Sequence, residues 1–228
     1  MIDKFSTIFD GLRLAYGTFK IEDRNAKGKA TGKAMIVREK RTEETWQMHL
    51  DGTQSVGIIP INEDNQCRWG CIDIDEYNFD HTALINKLKN LKLPLVVCRS
   101  KSGGAHVFLF TDDFIPAKDM QDVLTRLSVG LGYGGSEIFP KQIALNLDRG
   151  DVGNFLNMPY FDHENSLRYA FKPDSSAATI EEFFELVAEN VQTREQALAL
   201  IVEQDSSLPI QNGPPCLQIL CKDGIGEG

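Results

Sequence analysis

The stretch that decides the fold is Trp69-Gly-Cys-Ile-Asp-Ile-Asp-Glu76, which places two carboxylates two residues apart in a short apolar run. Side chains alternate between the faces of a β-strand. A strand here therefore points Ile72 and Ile74 into a core and brings Asp73 and Asp75 together on the opposite face. Two such carboxylates repel each other unless a cation lies between them, and their hard oxygens suit Mg²⁺ or Mn²⁺. An isolated Asp-x-Asp is also common at solvated strand ends, so its surroundings decide its meaning.

The elements around this motif predict a mixed α+β fold. Asp80 is a good N-cap for a helix with apolar residues at helical spacing, and a second helix runs from about Pro116 to Leu131. Strands are expected to begin at four positions, namely Trp69, Leu95, Ala105 and Glu137. This β-α-β-β-α-β order is the split βαβ arrangement of ferredoxin-like and RNA-recognition-like folds. In one shared sheet, four polar side chains would converge on an exposed face: Asp73, Asp75, His106 and Glu137.

The second chemical feature is the turn Ser100-Lys-Ser-Gly-Gly104, followed by His106 on the outgoing strand. Its hydroxyls, ammonium and glycine N–H groups form a donor-rich loop that an anion can approach closely. A lone strand histidine is usually structural, but after such a turn it can donate to a triphosphate or a leaving pyrophosphate. The segment Ser136-Glu-Ile-Phe-Pro-Lys-Gln142 adds a third carboxylate and a lysine, and Gly153-Asn-Phe-Leu-Asn-Met-Pro-Tyr160 adds two amides. The predicted nucleotide-binding residues are Ser100, Lys101, Ser102, Gly103, His106, Lys141 and Asn154.

Composition sets outer limits on partners and compartment. The 228 residues carry a net charge of -9 with 42% hydrophobic content, which on average argues against a nucleic-acid partner. The charge is uneven, because a basic segment spans residues 24–41 and an acidic one spans 174–205. The basic segment predicts a loop or hairpin that would clamp phosphates, with four nucleic-acid-binding candidates: Lys27, Lys29, Lys33 and Arg38. No apolar run has membrane-spanning length and no signal-peptide pattern is present, so we expect no membrane partner and a cytoplasmic location.

The cysteines predict free thiols rather than a zinc site. Their number, five, is odd in a chain without secretory features. Neither Cys67/Cys71 nor Cys216/Cys221 has the two-residue spacing typical of zinc ribbons. We therefore expect no zinc.

The order of these motifs resembles the archaeo-eukaryotic primase superfamily. The matching phrases are Ile72-Asp-Ile-Asp75, then Ser100-Lys-Ser-Gly-Gly-Ala-His106, then Glu137-Ile-Phe-Pro-Lys-Gln142. Together with the segment Gly153–Tyr160 they look most like the primase-polymerase branch found in phages, plasmids and mobile defence systems. The resemblance covers roughly residues 46–161, and three motifs in order at these spacings are fairly specific.

The resemblance implies a template-dependent nucleotidyltransferase, a DNA primase or a primer-extending polymerase. Asp73, Asp75 and Glu137 would be catalytic and would hold two Mg²⁺ or Mn²⁺ ions, although Asp148 and Asp151 compete with Glu137 for the third place. The implied substrates are a single-stranded DNA template, a primer and ribo- or deoxyribonucleoside triphosphates. A helicase domain or subunit would suit the family as a partner. The implied fold is an RNA-recognition-like half packed on a smaller N-terminal α/β half.

The expected domain organisation follows from these limits. A catalytic domain would span 1–172, with an N-terminal subdomain over 1–66 that opens with a helix from Asp3 to Tyr16 and a catalytic half over 67–172. Two capping boxes predict helices in an acidic appendage over 173–205. Residues 206–228 would form a linker and tail leading to a further domain.

Three other functions stay open at the level of sequence. A metal-dependent nuclease or nickase also uses paired acids and a histidine, but nickases typically need a His-hydrophobic-His pair and a nucleophilic tyrosine. A non-catalytic RNA-recognition module would place aromatic residues rather than Asp73 and Asp75 on its exposed sheet. An inactive structural subunit of a replication complex is the third.

Overall fold

Two antiparallel four-stranded sheets and six α-helices make up the part of the chain that the computed structural model describes, residues 1–24 and 30–202, with backbone alone for 20–24 and 30–32. The helices are α1 (Ile2–Ile8), α2 (Glu43–Leu50), α3 (His81–Asn90), α4 (Ala117–Gly130), α5 (Ile180–Asn190) and α6 (Arg194–Ala199). The strands are β1 (Tyr16–Arg24), β2 (Ala30–Val37), β3 (Val56–Ile58), β4 (Gln66–Ile74), β5 (Val96–Arg99), β6 (Ala105–Pro116), β7 (Glu137–Phe139) and β8 (Leu156–Asn157).

The predicted split βαβ unit is confirmed. Strands β5, β6, β4 and β7 form one sheet in that order, with α3 and α4 between them in sequence. Asp80 caps α3 by accepting a hydrogen bond from the Ala83 N–H at 2.9 Å. The two helices cover one face, where Ile72 and Ile74 pack with Leu124 in a buried core. The alternation along β4 therefore places its isoleucines as predicted.

The second sheet has the order β2-β1-β3-β8 and lies on the N-terminal half. β1 and β2 form an antiparallel hairpin across the basic segment, in agreement with the sequence, although the turn at 25–29 lies outside the described residues. β8 follows β7 in the chain and pairs with β3, with Leu156 opposite Ile58. The predicted domain boundaries stay predictions. β8 lies after the predicted boundary at residue 66 but pairs with β3, which lies before it.

The prediction of a helix from Asp3 to Tyr16 was wrong in length, because α1 ends at Ile8 and Tyr16 begins β1. Tertiary contacts take the backbone groups that a longer helix would use. The Asp10 carbonyl accepts from the Trp69 indole N–H at 2.8 Å, and the Leu12 N–H donates to the Ile59 carbonyl at 2.9 Å. The apolar spacing that suggested the helix still buries Leu12 completely.

A second core, rich in aromatic rings, joins the two halves. Phe9 lies at its centre, with ring centroids of Trp69, Phe108, Phe110 and Phe183 between 5.5 and 5.9 Å away. Phe183 comes from α5, so the acidic C-terminal region packs on this core. The capping boxes at Thr179 and Thr193 that predicted α5 and α6 are both formed.

Three cysteines, Cys67, Cys71 and Cys98, are buried free thiols whose pKa burial raises. Cys216 and Cys221 lie outside the described residues. Among the helices described, none has the length and apolar character needed to cross a bilayer.

Acidification should weaken the fold through His49. This side chain is completely buried, its Nδ1 accepting from the Val56 N–H and its Nε2–H donating to the Pro159 carbonyl. Burial lowers its pKa from 6.5 to about 4. Between these values the unfolded chain binds the proton and the folded chain does not, so stability falls as pH drops from about 6.5 towards 4, by about 1.4 kcal/mol per unit. Urea unfolding at pH 7.5 and 5 measures this, and His49→Asn should lose much of the difference; an equal difference in the variant contradicts the assignment.

Candidate active site

Three of the predicted site residues form one row across neighbouring strands. Asp73 on β4 lies directly opposite His106 on β6 and directly opposite Glu137 on β7. Residues opposite each other in an antiparallel pair project from the same face, with Cβ atoms about 5 Å apart. The His106 Nε2 atom is 3.3 Å from the Asp73 Oδ1 atom. The fold thus brings together three residues from three separate sequence motifs.

The row lies at the rim of the buried interface rather than on an open face. Trp69 and Cys71, which share the face of Asp73 on β4, are completely buried in the aromatic core. Exposure rises along the row, because the side chain of His106 is 8% exposed, that of Asp73 23% and that of Glu137 61%. We expected an exposed face, and the structure differs because the N-terminal half covers all but its end.

Asp75 is tied to the Ser100–Gly104 turn. The Ser102 hydroxyl donates to the Asp75 Oδ1 atom at 2.8 Å, and the Ser100 and Ser102 hydroxyls are 3.0 Å apart. Gly103 has φ 99°, a conformation that favours glycine. The end of β4 and the donor-rich turn are therefore held as one unit.

Gly104 allows this contact, since a Cβ atom there would lie 2.0 Å from the Ile74 carbonyl oxygen. Gly104→Ala should lower the free energy of unfolding by about 1–3 kcal/mol, because the turn must move away from β4. Thermal unfolding measures this effect. Gly135→Ala is the control, since that position has open space around it. Equal behaviour of the two variants would contradict the packing argument.

Lysines stand beside both parts of the site. The Lys141 ammonium is 2.6 Å from the Glu137 Oε2 atom. Lys101 extends from the turn across to the N-terminal half, with its Nζ atom 3.4 Å from the centroid of the Phe19 ring. The turn therefore contacts β1 as well as β4.

Asn154 and the two competing acids lie outside the row. The amide of Asn154 accepts from Gln142 Nε2 at 2.6 Å, and its backbone N–H donates to Gln142 Oε1 at 2.9 Å. Asp148 lies in a short 3₁₀ helix, and Asp151 follows it; both are exposed. The strand register favours Glu137 over these acids, and the nucleotide-binding role of Asn154 stays a prediction.

Two of the basic candidates, Lys33 and Arg38, lie on or just after β2 and are exposed. The Arg38 guanidinium donates to the Gly150 carbonyl at 2.8 Å, which connects the basic segment to the loop after β7. Lys27 and Lys29 lie outside the described residues.

Comparison with known proteins places the chain in a family. Residues 20–201 match the archaeo-eukaryotic primase domain of the TOTE conflict system. The chain belongs to this family. Among solved structures it is similar to the archaeo-eukaryotic primase domain of the cyanophage S-2L primase-polymerase, with 10% identity over 81% of this chain and 95% of that chain and a TM-score of 0.42. No curated protein matches.

Members of the archaeo-eukaryotic primase superfamily are generally nucleotidyltransferases that use divalent metals, and the donor set of this site fits such ions in chemistry. Asp73 and Glu137 supply carboxylate oxygens from facing positions, the ligands that Mg²⁺ and Mn²⁺ prefer. Their carboxylates are engaged with His106 and Lys141, and the described part of the chain contains no converged group of three metal-liganding side chains. Asp75 directly follows β4 and is two residues from Asp73 in the chain.

Arg168 is a basic residue in this primase domain that the sequence did not single out. Its guanidinium donates to the Ser55 hydroxyl at 3.0 Å, and burial lowers its pKa to about 10. It makes no ion pair with any described carboxylate. The flanking carbonyls of Leu167 and Tyr169 accept from Arg99 at the end of β5, where the Ser100–Gly104 turn begins. A single arginine in an irregular segment carries no periodic signal, so only its burial reveals it.

Proposed function

We propose that the chain is a template-dependent nucleotidyltransferase, a DNA primase or a primer-extending DNA polymerase, that joins nucleoside triphosphates on single-stranded DNA and releases pyrophosphate. The observation that carries the proposal is the row of Asp73, His106 and Glu137 beside a donor-rich turn. Membership of the primase family supports the reaction class. A helicase domain or subunit as partner stays a prediction.

Asp73, Asp75 and Glu137 would hold the divalent ions, Mg²⁺ or Mn²⁺. When bound, two such ions lower the pKa of an attacking hydroxyl and neutralise the charge that develops on a departing pyrophosphate. The protein supplies no nucleophilic side chain, because positioning and charge stabilisation account for most of the catalysis of phosphoryl transfer. The carboxylates would therefore act by holding the ions in place.

The Ser100–Gly104 turn would bind the phosphates of the incoming nucleotide. The Ser102 hydroxyl and the Gly103 N–H already donate to Asp75 and to the Ser100 carbonyl, so a bound phosphate would take these donors in exchange for contacts within the protein. His106 would donate from the row to a phosphate oxygen, and Lys141 would balance the negative charge beside Glu137.

Replacing His106 should mainly impair the use of nucleotides. His106→Gln should lower kcat/KM for nucleoside triphosphates by about 10–100-fold, with most of the change in KM, because a hydrogen bond to a charged group contributes about 1.5–3 kcal/mol. Steady-state kinetics with varied nucleotide concentration measures this. His163→Gln, outside the row, is the control. An unchanged KM in the His106 variant would show that His106 is not part of the nucleotide site.

The decisive experiment is incubation with single-stranded DNA, labelled ribo- or deoxyribonucleotides and either metal, with and without a primer. New oligonucleotides without a primer would identify a primase, and extension of a primer alone would identify a polymerase. Shortening of the template would overturn the proposal in favour of a nuclease. Absence of any product under all conditions would also overturn it.

A further inference from the structure

A second polar cleft lies at the other end of β4 from the acids. It holds about 520 Å³ between α1, α2, the segment that joins β2 to α2 and the distal ends of β4 and β6. Its charged lining consists of Asp10, Arg13, Lys40, Arg41 and Arg68. Asp73 follows Arg68 by five positions along β4, a distance of roughly 16 Å. The cleft is thus distinct from the row of Asp73, His106 and Glu137.

Positive charge dominates this cleft, although the whole chain carries -9. Arg41 forms its floor, with a side chain 6% exposed that contacts the Leu12 carbonyl and Asp10. Arg13 pairs with the same carboxylate at 2.8 Å and is 70% exposed. One acid therefore faces four basic side chains. An adjoining hollow shares Arg13 and Lys40 with this cleft and adds Glu63 and Asp64, so the positive surface ends on that side at these two basic residues.

Two of the cations are available to a ligand. The strand register shifts between Cys67 and Trp69, and such a bulge re-aims the residue within it. Arg68 donates one hydrogen bond to the Asp112 carbonyl at 2.9 Å and lies over the Phe114 ring at 5.6 Å, which leaves further N–H groups. Lys40 is exposed and forms no ion pair with a described residue.

A short basic segment lengthens the positive lining beyond the cleft. Arg38 contacts Gly150 in the loop after β7, and two residues later Lys40 lines the cleft. Residues two apart in an extended chain are separated by about 7 Å. A track of this kind suits a chain-like polyanion better than a compact ligand, because each cation meets a different phosphate.

We propose that this cleft is a second binding site for the phosphodiester backbone of single-stranded nucleic acid, contacted by Lys40 and Arg68. Spaced cations with an adjacent aromatic ring are the usual means of binding a single strand without reading its sequence. The identity of the strand as a template rests on the proposed function, whereas the existence of the site does not.

The test is metal-free binding of labelled single-stranded DNA of about 20 nucleotides to the full chain, followed by fluorescence anisotropy over a range of salt concentrations. Lys40→Ala with Arg68→Ala should weaken binding by about tenfold or more and lower the slope of log affinity against log salt by about 1.4. Lys89→Ala with Lys118→Ala removes the same charge from α3 and α4, on the opposite face of the β5-β6-β4-β7 sheet. This control variant should keep the wild-type affinity at fixed salt and the wild-type dependence of affinity on salt.

Two outcomes would overturn the inference. One is binding by the Lys40/Arg68 variant that matches the control variant in affinity and salt slope while its thermal unfolding is normal. The other is an equal loss of affinity for a free nucleoside triphosphate, which would place a single nucleotide in the cleft. The binding test involves neither metal nor synthesis. If the wild-type protein makes no product but the Lys40/Arg68 variant shows the predicted loss of binding, the proposed function alone is refuted.

Discussion

Asp73→Asn should reduce nucleotidyl transfer by about a thousandfold or more while the protein keeps its fold. Asparagine preserves the shape and one oxygen of the side chain but removes the negative charge that would hold a divalent ion between β4 and β7. Because Asp73 lies at the rim and its partner His106 can still hydrogen-bond to the amide, the free energy of unfolding should change by less than about 1 kcal/mol. Primer extension and thermal unfolding of the same preparation measure both quantities.

Matched variants of the neighbouring acids make this prediction sharper. Glu137→Gln should cause a loss of the same kind, because Glu137 directly faces Asp73 in the sheet. Asp148→Asn and Asp151→Asn should retain activity, because both acids lie outside the strand row. Near-normal activity of Asp73→Asn would refute the site. If Asp148→Asn lost activity while Glu137→Gln kept it, Asp148 rather than Glu137 would be the third metal ligand.

Phe9→Ala should be the most damaging single change to stability. Phe9 is completely buried among rings from β4, β6 and α5, so truncation leaves a cavity where the two halves meet. A loss of about 3–5 kcal/mol is expected, or roughly 6–20 °C in Tm for a domain of this size. Leu167→Ala, at a side chain that is 71% exposed, should stay within about 0.5 kcal/mol. If the free energy of unfolding of the Phe9 variant lay within about 1 kcal/mol of the wild-type value, as for a surface substitution, the packing of the two halves would depend on other residues.

The catalytic half could be predicted from sequence because its signals are local. Asp80 and the apolar spacing after it define α3, and the Ser100–Gly104 turn defines the hairpin of β5 and β6. The alternation of Ile72 and Ile74 with the aspartates defines the faces of β4. What pattern alone does not fix is register, since a slip of one residue would turn Asp73 to the other face. The position of Glu137 opposite Asp73 therefore required the structure.

The parts that sequence missed depend on contacts between distant segments. α1 stops at Ile8 because Trp69 and Ile59 take the next backbone groups, and neither partner can be recognised from residues 1–16. His106 is buried because the N-terminal half covers its sheet. Arg168 matters only because folding removes it from water without a described carboxylate beside it.

The pairing of β8 with β3 has a consequence for the order of events during synthesis. Ile58 can pair with Leu156 only after that residue has been synthesised, 98 residues later in the chain. The ribosome needs roughly 5–20 s to make this length. During this interval β3 presents an open edge, so the N-terminal sheet matures only after the strands that carry the acids have emerged. A truncated translation product that stops before residue 156 would expose this edge and invite aggregation.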